Sequence, residues 1–111
     1  MFNEVLIKLV IFGTNPTQNE YSIGVVDGAV PSISSIELES VLGFSQKFIK
    51  APTDWYAVTK KTFLVADKSL YLIYSAVIPH SMKLENAEWL SFSKIDSLSE
   101  IDRQIVMEGI R

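Results

Sequence analysis

The chain has 111 residues, 48% of them hydrophobic and 21% charged, with a formal net charge of -3 at pH 7 and no cysteine. That length suits a single domain spanning 1–111, able to bury roughly 65% of the surface its unfolded form exposes, so a core can form without disulfides or structural metal. The missing cysteines exclude thiol catalysis and thiolate zinc sites, and an acidic balance with Lys60-Lys61 as its one adjacent basic pair excludes a general nucleic-acid-binding face.

The segment Phe2 to Phe12 is rich in Val, Ile and Leu and predicts a strand that ends in the turn residues Gly13-Thr14-Asn15-Pro16. Lys8 interrupts this run, which is too short for a membrane span, and no basic leader precedes it. The expectation is a soluble, untargeted, cytoplasmic protein. Thr14 to Glu20 reads as a loop, and Tyr21 to Val26 as a second strand, antiparallel to the first, that breaks at Asp27-Gly28.

Pro31 and the serines after it lead into a short helix expected from about Ser34 to Leu42. Ser34-Ser35-Ile36-Glu37 fits a capping box, in which the Ser34 hydroxyl accepts from the amide of Glu37 and the Glu37 carboxylate reaches back. Gly43 stands where a helix end favours a left-handed residue.

Lys50 to Tyr56 reads as a connection, Val58 to Ala66 as a strand, Asp67-Lys68-Ser69 as a turn, and Leu70 to Ile78 as a strand apolar on both faces, stopped by Pro79. Leu98, Ile101, Ile105 and Val106 fall at i, i+3, i+7 and i+8, one apolar face of a helix that Ser97 or Ser99 can cap. Gly109 is its weak point, costing up to about 1 kcal/mol relative to alanine inside a helix.

The run Ile36-Glu37-Leu38-Glu39-Ser40-Val41-Leu42-Gly43-Phe44 resembles the second half of a Nudix box, G-x5-E-x7-R-E-U-x-E-E-x-G-U. Aligned on Gly43-Phe44, the box retains Glu37 and the bulky Leu38, while its arginine falls on Ile36 and its adjacent glutamates on Ser40 and Val41. The earlier isolated glutamate falls on Gly28 and the opening glycine on Ser22. Glu85 to Phe92 is similar to the acidic-aromatic strand near the end of Nudix domains, Ile95 and Leu98 match the short turn that follows it there, Ser99 to Arg111 matches the C-terminal helix, and the order of elements matches theirs. The resemblance implies an α+β fold, an α/β/α sandwich with a mixed central sheet and two main helices.

In that family the glutamate pair holds a divalent metal, which needs hard oxygen ligands and activates water against a pyrophosphate. Serine and valine cannot replace it. Glu39 lies about 200° around the helix from Glu37 and cannot join it in one cluster. The chain is therefore expected to lack catalytic and metal-ligating residues and to need no cofactor, Mg2+ entering only if a weak pyrophosphohydrolase has been rebuilt from Glu37 with Glu85 or Glu88.

The candidate ligand contacts are Glu37, Trp55, Tyr56, Lys60, Lys61, His80 and Glu88. Trp55 and Tyr56 could stack on a base or equally cap the core. Lys60 and Lys61 could hold phosphate or guard a solvated strand edge. His80, alone beyond a strand, and Glu88, opposite in direction to Trp89 by strand alternation, have surface readings beside the functional one. The first expectation is recognition of a nucleotide or nucleoside-diphosphate-linked molecule without turnover. The second is a protein-interaction or self-associating module, including a homodimer, with an abandoned cleft.

Overall fold

The computed structural model describes residues 2–15 and 19–111, and the apolar N-terminal run forms its longest strand, β1 (Glu4–Asn15). Then follow β2 (Glu20–Val25), β3 (Ser32–Ser34), α1 (Val41–Ser45), β4 (Val58–Ala66), β5 (Ser69–Pro79) and β6 (Glu88–Ser91). A 3-10 turn (Phe92–Ser97) and α2 (Glu100–Gly109) complete the chain. Among the described residues six strands form one sheet in the order β4-β5-β1-β2-β6, with β3 also on β1. β1 and β5 run parallel, and the other pairs run antiparallel. The sheet is thus mixed, as expected.

Alternation along β1 divides the core. Leu9 and Ile11 point to one face, where they meet Phe44 and Phe48 from α1 and its exit, with Tyr56, Ala76 and Ile78. Val10 points to the other, against Tyr71, Ile73, Ile105 and Val106 under α2. Each fully buried aliphatic side chain contributes about 1.5–3 kcal/mol. β5 buries Tyr71 and Ile73 on one face and Ala76 and Ile78 on the other, while Leu70, Leu72 and Tyr74 are half-buried and Val77 is exposed, so its doubly apolar sequence is covered on both faces only in part.

Two expectations near the first hairpin shift. Gly13, Thr14 and Asn15 stay in the ladder, opposite Ser22, Tyr21 and Glu20, so the connection is shorter than the expected loop. The rest of that predicted turn, Pro16 to Gln18, lies outside the described residues. Asp27 and Gly28 do turn the chain, with φ of 51° and 78° between the bridged Val26 and Ala29.

The helix expected from Ser34 to Leu42 is displaced and shortened. Ser34 is committed to the sheet opposite Leu6, and the Glu37 amide donates to the Ser34 carbonyl at 3.0 Å in a turn, so no capping box forms. Ser40 is the cap instead, its hydroxyl accepting from the Gly43 amide at 2.9 Å. Gly43 lies inside α1 rather than past its end. At the C-terminus Ser99, not Ser97, caps α2 by accepting from the Asp102 amide at 3.1 Å.

The β4–β5 hairpin closes on Asp67 and Lys68, both with positive φ (51° and 62°), the geometry that favours Asp-Gly in two-residue turns. A left-handed residue other than glycine costs roughly 1–2 kcal/mol, partly offset by the chain entropy glycine loses on folding. Lys68→Gly should therefore raise stability by about 0.5–1 kcal/mol. The measurement is a higher urea midpoint at unchanged slope.

Lys8, in the middle of β1, is buried rather than a break in the strand. Its Nζ donates to Asp102 Oδ1 at 2.9 Å, and Oδ2 of the same carboxylate accepts from the Val30 amide at 3.0 Å. One polar contact thus ties β1, the β2–β3 connection and α2 together beneath an otherwise apolar layer.

Candidate functional site

The stretch that carries the partial motif builds a hollow of about 300 Å³ against α1. Ile33, Leu38 and Phe44 supply apolar walls, while Glu37, Glu39 and Lys47 supply charge. Phe44 is held edge-on to Phe48 at 5.3 Å between ring centroids, and the Lys47 ammonium lies 5.9 Å from the Phe44 ring. The two positions that would carry the adjacent glutamates have other work or no oxygen. Ser40 caps the helix, and Val41 opens it with a side chain lacking lone pairs.

A divalent metal does not fit this donor set. Among the described residues no three His, Asp or Glu side chains come together where they could hold an ion. Glu37 sits in the turn after β3, Glu85 in the loop where its amide donates to the Phe48 carbonyl at 2.9 Å, and Glu88 on β6 opposite Val25. Glu88 borders a separate hollow of about 220 Å³ with Asp27 and Asn86. Among the described residues Glu37, Glu85 and Glu88 do not come together as one cluster of three.

The remaining candidates are dispersed as well. Tyr56 is turned into the core, its hydroxyl 2.9 Å from Ser45 Oγ, so it packs rather than stacks. Trp55, 71% exposed, keeps a free ring. Lys60 and Lys61 lie on the edge strand β4 at a bulge, and Lys61 Nζ donates to the Arg111 carbonyl at 3.0 Å. His80 follows β5, its amide donating to the Thr14 carbonyl at 3.0 Å. Trp89 donates from its indole to the Met82 carbonyl at 2.9 Å, leaving Glu88 exposed on the opposite side of β6.

The surface that sequence reasoning missed is a bare part of the sheet. The register sets Phe63 beside Leu72 and Ile7, and Val65 beside Leu70 and Val5, all on the face that α1 covers elsewhere. α1 packs over Leu9, Ile11, Ala76 and Ile78, and with only five residues it leaves this end open. Phe63 is 62% exposed and Val65 51%. The signal was present in Thr62 to Ala66, which is apolar at consecutive positions, but an edge strand cannot be told from a central one by composition.

No family model matches the chain, and no curated protein matches its sequence. Solved structures do. The C-terminal domain of mouse MUTYH, in a complex with human PCNA, superimposes with a TM-score of 0.70 at 15% identity, over 96% of this chain and 86% of that one. The NUDIX domain of Shewanella oneidensis NrtR, complexed with ADP ribose, superimposes with a TM-score of 0.64 at 11% identity, over 97% of this chain and 86% of that one. At such identities the likeness concerns the fold, and it is a Nudix-like one.

Proposed function

We propose that this Nudix-like domain works by binding and not by hydrolysis, and that its recognition surface is the open sheet face at Phe63, Val65, Leu70 and Leu72, which takes a protein partner. The supporting observation is that two large apolar side chains stand more than half exposed, side by side, on a strand whose neighbours are apolar too. Isolated exposed apolar residues mean little, whereas a contiguous patch marks an interaction site. The MUTYH domain offers a precedent for protein recognition on this fold.

Phe63→Lys tests the reading with little risk to the fold, because the ring is mostly in water already. The native chain should bind an apolar reporter dye such as anilinonaphthalene sulfonate, and the variant should lose at least half of that signal. A native chain that binds no dye would overturn the reading.

The second reading, non-hydrolytic recognition of a nucleotide-like ligand, rests on the hollow at α1 and on the ADP-ribose complex of the NrtR domain. There Lys47 would meet phosphate, with Trp55 the free aromatic nearby in sequence. Calorimetry with ADP-ribose, NAD and a dinucleotide should show saturable heat without turnover, and no heat across the panel removes it. Release of product from a pyrophosphate substrate in Mg2+ or Mn2+ would remove both readings.

A further inference from the structure

We infer that the free edge of β4 pairs antiparallel with β4 of a second copy of this chain about a two-fold axis at Leu64, joining two open sheet faces into one. This rests on the reading of that face as an interaction surface.

Among the described residues β4 is an outer strand, and one side of its backbone has no partner strand. Which residues point outward follows from the hairpin. In a two-residue turn the flanking pair, here Ala66 and Ser69, exchanges hydrogen bonds, and bonded and outward residues then alternate. Leu64 and Thr62 therefore bond to β5, while Phe63 and Val65 aim their amides and carbonyls away from the sheet.

Three antiparallel registers fit that alternation, and side-chain chemistry separates them. An axis at Phe63 would set Lys61 against Val65 of the second copy, and an axis at Val65 would set Asp67 against Phe63. Only the axis at Leu64 matches like with like. Phe63 then exchanges both backbone bonds with Val65 of the other copy, an aromatic and β-branched pair formed twice by symmetry, and Lys61 comes abreast of Asp67. Lys60 meets Lys68 at the exposed ends, where both ammonium groups reach water. The bulge at Lys61 limits the new ladder to Thr62 to Ala66.

The opposite face of the same edge is mixed. Between β4 and α2 lies a hollow of about 380 Å³ in which Leu64, Ile95 and the exposed Met107 stand among the charged Arg103, Glu108 and Arg111. The axis at Leu64 runs beside it, so on this side a second copy meets Leu64 and Met107 flanked by charged side chains. An edge meant only to repel pairing would carry charge along its length. Here the charges stop at Lys61 and return at Asp67.

The chain contains no cysteine, which makes single-cysteine variants unambiguous. Sedimentation of the native protein over a range of concentrations should give a dimer that Phe63→Lys weakens at least tenfold. Val65→Pro should give a monomer, since it removes an outward amide that the intramolecular ladder does not use. Mild oxidation should cross-link Leu64→Cys ahead of Phe63→Cys or Val65→Cys, because a directly facing, non-bonded pair brings the β-carbons close enough for a disulfide.

A native chain that stays monomeric throughout, or a dimer that Val65→Pro leaves intact, overturns the inference. The dye experiment separates this from failure of the underlying reading. Dye bound by a monomeric native chain and lost in Phe63→Lys leaves the open face standing while removing the second copy paired at its edge.

Discussion

Asp102→Ala is expected to cost about 3–5 kcal/mol of folding stability, the penalty for breaking a buried ion pair by removing one partner. Domains of this kind have only about 5–15 kcal/mol in total, so much of the variant would populate unfolded states under mild urea. The cause is what remains. Lys8 would be left without its carboxylate in a layer where its other polar neighbour is the Val30 carbonyl at 3.5 Å, and the Val30 amide would lose its acceptor.

Replacing both charges, as in Lys8→Met with Asp102→Leu, should recover most of that loss. Apolar residues of similar volume avoid the desolvation of two ions. A residual deficit of about 1–3 kcal/mol should persist, because the Val30 amide is still orphaned. Urea unfolding of the native chain, the single variant and the double variant checks this order. A double variant no more stable than Asp102→Ala would show that packing, and not charge, dominates at this contact.

Gly109→Ala should destabilise the protein by about 1–3 kcal/mol, the cost of overfilling a packed core. Helix propensity alone predicts the opposite sign, a gain of up to about 1 kcal/mol. Packing wins because α2 lies directly against β1 at this point. A β-carbon on residue 109 would stand 2.7 Å from Val10 Cγ2 and 3.0 Å from Val10 Cβ. Val10 is wholly buried in an interior strand and has nowhere to move. The check is the unfolding midpoint, and a rise instead of a fall would mean that the helix shifts freely.

Gly109 also shows where local reasoning ends. Within its own helix it is a defect, and only the strand beneath it explains why no side chain is there. The same holds for Ser34. Its spacing to Glu37 makes a sound capping box, but pairing with Leu6 takes its backbone into the sheet, and Ser40 begins the helix six residues later. Tyr56 and Trp55 are adjacent and chemically alike, yet one is buried against Ser45 and the other stands in water.

Elements dictated by local pattern were legible from the amino acids alone. β4 spans the predicted Val58 to Ala66, the turns at Asp27-Gly28 and Asp67-Lys68 form, and the apolar face of α2 is the one that packs. The Nudix-like fold that the partial box suggested is the one the chain shares with solved structures. Periodicity and turn chemistry are properties of neighbouring residues, and they persist whatever the rest of the chain does.

Only the tertiary structure decided which charges are buried, which glycines are contacts and which apolar side chains are left bare. Lys8 and Asp102 are 94 positions apart, and Phe63 is exposed because a five-residue helix stops short of it. Such outcomes depend on strand order and on how far one element reaches over another. No window of sequence contains that information.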